Sequence, residues 1–207
     1  MHISEGILSA PVLATGYACT AVGVAIGLKK VDYDKLPEVA VLSSVFFVAS
    51  LIHVPIGPSA AHLVLNGLCG LLLGWASFPA ILVGLSLQAL LFQFGGLTTL
   101  GINTLNMALP AVVMGSLCGM FLGSKSPLVR GVAEFVAGAG SILLSGLAVA
   151  ACLLATGSAF GPAAKLIVVA HVPIMIVEGL ITIFVVEFLM KVRPQMLEKP
   201  GVANLTG

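Results

Sequence analysis

The chain alternates long apolar stretches with short polar punctuation. Seven apolar runs can be read, approximately Leu8 to Leu28, Val39 to Ile52, Ala61 to Trp75, Phe78 to Phe94, Asn106 to Gly123, Gly131 to Thr156 and Leu166 to Met190. The segments "KKVDYDKLPE", "HVPIGPSAA", "GWASFP", "GGLTTLGINT", "SKSPLVR" and "SAFGPAAK" separate them. Most runs suit a membrane-crossing helix, which needs about 20 apolar residues. The second and third are short, so they either borrow flanking residues or stop short and leave a cavity. The pattern predicts an all-α integral membrane protein of about seven transmembrane helices, folded as a single domain over residues 1–207.

Composition strengthens this reading. The chain is 59% hydrophobic and 8% charged, with a mean hydropathy of +1.17, whereas soluble domains carry about 25% charged residues. One small core cannot hide that much apolar surface, and helices satisfy their own backbone groups in lipid. The net charge is +1 with no basic run, which argues against a nucleic-acid partner. Cys19, Cys69, Cys118 and Cys152 are scattered singly through apolar stretches without CxxC spacing, and read as small buried hydrophobes.

The basic residues set an expected orientation. With the N-terminus outside, Lys29, Lys30, Lys35, Lys125, Arg130, Lys191, Arg193 and Lys199 all fall inside, and only Lys165 falls outside. The positive-inside rule therefore predicts N-out, C-in and an odd number of spans. Met1, "HVPIGPSAAH" and "GGLTTLGINT" then share the outer side, and His2, His53 and His62 share it with them.

The opening "MHISEG" lacks the basic n-region of a signal peptide. Because His2 is bulky, trimming of Met1 is not expected either. A free amine followed by histidine is a chelator. The amine, the deprotonated His2 amide nitrogen and His2 Nδ1 close a five- and a six-membered ring around one ion. Such square-planar nitrogen ligation suits Ni(II) or Cu(II). A fourth donor, the neutral imidazole of His62 or His53, would complete the set. Taken alone the signal is weak, since most histidines near a chain start are merely solvated.

Four stretches, "MHISEG", "PIGPSAAHLVLNG", "FQFGGLTTLGINTLNMALP" and "HVPIMIVEG", together resemble the metal-binding membrane subunit of energy-coupling-factor (ECF) nickel and cobalt transporters, over nearly the whole chain. The resemblance implies the S-component fold with an extra N-terminal helix, and a leader tucked into the outer cavity. It implies metal held by the Met1 amine, the His2 amide nitrogen and imidazole, and His62 of an SxxH motif that begins at Ser59. It also implies an outer loop over the site, with Thr98, Thr99, Asn103 and Asn106 as supporting partners. Ni2+ or Co2+ is then the transported substrate, leaning to nickel, and no organic cofactor is expected. Partners would be an ECF transmembrane (T) subunit, two ABC ATPase subunits and a possible small accessory membrane subunit, in the inner (cytoplasmic) membrane of a prokaryote.

His171 and Glu178 lie seven residues apart in the last run, about two turns along one helix face. Ionisable groups within a span are costly and usually functional, so a metal relay stays open. A structural hydrogen bond or a partner contact is the favoured reading for this pair, and an interfacial anchor for His53. The chain has no GxxxxGK[ST] loop, so ATP hydrolysis must come from other subunits. Two further classes remain. An intramembrane metalloenzyme would use His171 and Glu178, but HExxH and paired acids are missing. A vitamin-binding subunit would want an aromatic pocket, whereas Trp75, Tyr17 and Tyr33 lie outside the candidate site.

Overall fold

The structure is a computed structural model that describes residues 2–51, 53–56 and 59–197, the side chains of 53–56 and 59–61 excepted. The described helices are α1 (Ala10–Lys30), α2 (Leu36–Ala49), α3 (Asn66–Leu73), α4 (Ser77–Phe92), α5 (Leu100–Cys118), α6 (Pro127–Thr156) and α7 (Gly161–Val192). Proline stands in the first turn of α1, α2, α6 and α7. Its missing N–H has no intrahelical partner to lose there, and its fixed φ suits the helix. Lys29 and Lys30 close α1, where cations complement the carbonyl end of the helix.

Among the described residues, five segments are long and apolar enough to cross a membrane: Ala10–Lys30, Asn66–Phe92, Leu100–Phe121, Pro127–Thr156 and Ser158–Val192. Each of the seven apolar runs contains a described α-helix, but α2 has only 14 residues and α3 only 8, so neither by itself is long enough to count as a span. α3 is stopped by Gly74 at φ 54°, a backbone setting that favours glycine. A short 3-10 turn at Gly74–Ala76 joins α3 to α4.

Two segments differ from expectation. The "HVPIGPSAAH" stretch contains an antiparallel hairpin, β1 (His53–Ile56) and β2 (Ser59–His62), with His53 opposite His62 and Ile56 opposite Ser59. Strand pairing gives these backbone groups partners where no helix is available. The "GGLTTLGINTLNM" stretch is a loop only as far as Thr99. From Leu100 onward it is α5, so Gly101, Asn103, Asn106 and Met107 stand on a helix.

α3 passes through the middle of the molecule, and Asn66 through Leu71 are all buried. Its neighbours approach at backbone distance. A Cβ on Gly70 would lie 1.9 Å from the Ala111 carbonyl oxygen of α5, and one on Gly67 would lie 2.4 Å from the Ala137 oxygen of α6. Small residues at helix crossings permit such contact where lipid supplies no hydrophobic drive to associate. α7 shows the opposite character, with Val169, Val172, Ile176, Leu180 and Phe184 exposed along one stripe, as a lipid-facing surface requires.

Candidate metal site

The leader is seated first by an apolar anchor. Ile3 is fully buried in a cluster with Leu8, Ile102, Val149, Leu153 and Ile167. Asn103 of α5 then grips the Ile3 backbone at both ends. The Ile3 amide donates to Asn103 Oδ1 at 2.9 Å, and Asn103 Nδ2 donates to the Ile3 carbonyl at 3.1 Å. Asn103 Nδ2 also reaches Thr99 Oγ1 at 3.2 Å, and Thr99 Oγ1 donates to the Gly96 carbonyl at 3.3 Å. A side-chain amide that satisfies a buried backbone N–H and C=O together fixes the segment in register.

Glu5 staples the leader on its other side. The Glu5 amide donates to the Gly95 carbonyl at 3.2 Å, and Glu5 Oε1 accepts from the Thr98 amide at 2.9 Å. Gly95 and Gly96 have φ of 74° and 138°. A Cβ on Gly96 would lie 2.0 Å from Glu5 Cγ, and one on Gly95 would lie 3.0 Å from Asn103 Nδ2. Both conformation and space therefore demand glycine at this pair.

The result is a buried pair of imidazoles. His2 is 5% exposed and His62 is 2% exposed. Their rings stack with centroids 4.5 Å apart and planes 22° apart, and Phe94 stands 6.4 Å from His2 on a roughly parallel plane. His62 Nδ1 lies 2.7 Å from the Leu63 carbonyl oxygen. That oxygen can only accept, so Nδ1 carries the proton and Nε2 keeps its lone pair. A ring tied down in this way is prepared as a σ-donor to a metal. Burial, followed by nearby positive charge that includes His2, holds the His62 pKa well below the ordinary 6.5. The ring is therefore neutral at physiological pH.

The remaining sequence candidates fall into place differently. Thr98, Thr99 and Asn103 join the leader as described. Asn106 faces α6, where it meets Cys152 Sγ at 3.7 Å, and not the leader. His171 is buried on α7, its Nδ1 2.6 Å from the Ile167 carbonyl. Glu178 is fully buried and accepts the Val64 and Leu65 amides. Met1 lies outside the described residues, as do the side chains of His53 and Ser59. Among the described residues, no group of three or more His, Cys, Asp and Glu side chains is placed to hold a metal ion. The described part of the site thus offers two imidazoles and backbone nitrogen. Sequence reasoning missed Glu5 and Phe94 as supports, whereas Gly95 and Gly96 do stand in the loop expected over the leader. The available signal was an acid in an otherwise chargeless stretch, facing a Gly-Gly pair.

Residues 2–196 match the family model CbiM, described as the cobalt uptake substrate-specific transmembrane region. The chain belongs to the CbiM family. A putative metal transport protein of Haemophilus influenzae is 38% identical over 203 residues, covering 96% of this chain and 98% of that protein. The cobalt transport protein CbiM of Geobacter sulfurreducens is 31% identical over 228 residues, covering 100% of this chain and 64% of that protein. A crystal structure of a transition metal transporter superposes with a TM-score of 0.81 at 30% identity, covering 93% of both chains. As a CbiM-family membrane protein, the chain is a component of cobalt or nickel transport and not a catalyst. The metalloenzyme and vitamin-binding readings fall with that assignment.

Proposed function

We propose that this CbiM-family chain is the substrate-capturing subunit of an ECF-type importer. It takes Ni2+ or Co2+, leaning to nickel, from the outer face of a prokaryotic inner membrane. It crosses that membrane seven times, N-out and C-in, with α2 and α3 completed by flanking residues. The ion is held by the amine of an unblocked Met1, the deprotonated amide nitrogen of His2, His2 Nδ1 and His62. A T subunit and two ABC ATPases supply the energy, and a small accessory membrane subunit completes the complex.

One observation carries this reading: the leader is pinned by Asn103 and Ile3 so that His2 stacks at 4.5 Å on His62 in a buried pocket. Four nitrogen donors in one plane suit Ni(II) better than the oxygen-rich shells of harder ions. Ser59 belongs to the hairpin that delivers His62, and Thr98 and Thr99 hold the loop over the leader. His53, His171 and Glu178 are not ligands in this scheme.

Metal content of the purified chain tests the proposal. The chain beginning at Met1 is expected to carry about one equivalent of Ni2+ or Co2+ and to release protons on binding, because coordinating nitrogens must first lose theirs. A variant with one residue added ahead of Met1 moves the amine out of chelate range and is expected to lose the ion. Equal metal content in both forms would overturn the ligand set.

A further inference from the structure

Between β2 and α3 the chain makes a turn in which Leu65 has a left-handed φ of 55°. A bulky residue rests in that conformation only when its surroundings over-determine it. The group that does so belongs to a different helix. Glu178 of α7 reaches across with Oε1 2.5 Å from the Val64 amide and 2.9 Å from the Leu65 amide, and its Oε2 lies 3.0 Å from the Leu65 amide. Both amides precede the first residue of α3, Asn66. Glu178 is itself fully buried.

The base of this carboxylate is held as firmly as its tip. Thr182 Oγ1 donates to the Glu178 carbonyl at 2.8 Å. α6 crosses directly over it, so that a Cβ on Gly138 would lie 2.6 Å from that same carbonyl oxygen. From Glu178 the connection runs through Val64 to Leu63, whose carbonyl receives the His62 Nδ1 proton at 2.7 Å. It ends at the His62 ring, stacked 4.5 Å from His2.

We infer that Glu178 is a positioning residue for the metal site: by accepting the Val64 and Leu65 amides, its carboxylate fixes the direction from which His62 meets the leader. The inference rests on the reading of His62 as a metal ligand. It gives a use to a buried acid that would otherwise be costly in a membrane span. A carboxylate suits the task because it only accepts, and both neighbours are donors. A glutamine of equal size keeps one oxygen for the pair but places an NH2 group against the Leu65 N–H where Oε2 now accepts.

The test uses the full chain in detergent, with Ni2+ alone as the probe. Glu178→Gln is expected to weaken Ni2+ binding at least tenfold, in the range seen when groups orienting a metal ligand are removed, and to shift the ligand-field bands toward those of His62→Ala. In the His62→Ala background, Glu178→Gln should have no further effect on Ni2+ affinity, which a general loss of stability would not produce. Additive losses would overturn the inference, and so would wild-type affinity and bands in Glu178→Gln. Hydrogen exchange of the metal-free protein supplies an independent reading. The Val64 and Leu65 amides should exchange faster in Glu178→Gln while the α1 amides stay unchanged, and equal exchange at Val64 and Leu65 would overturn it. If Glu178→Gln does not fold, Glu178→Asp, which withdraws the carboxylate by one methylene, is judged by the same measurements. A wild-type chain that takes up no Ni2+ or Co2+ sinks the metal-site reading instead, and exchange alone then decides whether Glu178 orders the turn.

Discussion

α3 is only about 12 Å long at 1.5 Å per residue, yet its two ends are built differently. At the His62 end, three helices contribute polar bonds. Glu178 of α7 takes the Val64 and Leu65 amides, and Asn66 Nδ2 donates to the Met107 carbonyl of α5 at 3.1 Å and to Ser145 Oγ of α6 at 3.0 Å. At the Gly74 end the contacts are between rings and aliphatic stems. Trp75 stacks on Phe78 with centroids 5.9 Å apart, and Lys30 Nζ sits 5.4 Å above the Trp75 ring. A cavity of about 450 Å³ opens there, lined by Lys30, Asp32, Lys35, Trp75 and Ser116 among others. Directional bonds, which fix angles, are concentrated where a ring must be aimed. The other end is held by contacts that tolerate sliding.

The largest expected effect strikes both ends at once. Gly70 and Gly115 let α3 and α5 touch backbone to backbone, and a Cβ on Gly115 would lie 2.2 Å from the Gly70 carbonyl. Gly70→Val should cost about 3 kcal/mol or more, the upper range for overpacking a tight interior. The single tryptophan, Trp75, reports the melt by fluorescence, and metal content is read on the same sample. Gly131→Val is the control, since nothing lies within 4 Å of a Cβ there. A Gly70→Val protein that melts like the control would mean that the crossing yields easily and the two ends are independent.

A smaller effect separates the ends by pH. The His62 pKa is lowered from 6.5 in the folded chain, chiefly by burial. Below about pH 6.5 the unfolded chain binds a proton at this residue while the folded chain does not, so stability falls as pH falls. The slope for one such group approaches about 1.4 kcal/mol per pH unit and vanishes above 6.5. The melting midpoint of metal-free protein should therefore drop between pH 6.5 and 5.5, and less steeply in His62→Ala. Identical slopes would mean that the ring is protonated in its pocket, which contradicts the geometry of a ready donor.

Much of the His62 end was legible in the sequence because its chemistry is carried by rare residues. In so apolar a chain, His2, His62, Asn103 and Glu178 stand out individually, and the first three do converge. The helices were legible too, since α6 and α7 are simply their apolar runs extended by a turn or so. Two features were not. The hairpin at His53–Ile56 and Ser59–His62 reads as irregular because Gly57, Pro58 and the flanking Ala residues carry no strand signal. The start of α5 was hidden because Thr98 and Thr99 look like loop, while Gly101 and Asn103 are poor helix formers whose place is set by tertiary contact. Gly101 lies against Tyr17, and Thr20 Oγ1 of α1 donates to its carbonyl at 2.6 Å. Such overrides occur where one helix must pass close to another, and periodicity does not report them.

The smallest effect tests the other end alone. Lys30→Met keeps the aliphatic stem but removes the charge above Trp75. A cation–π contact of this kind contributes about 0.5–1 kcal/mol at an exposed site, so the melting midpoint should move by little more than that. Nickel content should not change, because none of the bonds that aim His62 passes through Gly74 or Trp75. If Lys30→Met instead lowers nickel content with the fold intact, α3 transmits strain along its whole length. The cavity beside Trp75 would then belong to the same mechanical unit as the histidine pair, and the contrast between the two ends of α3 would be one of appearance only.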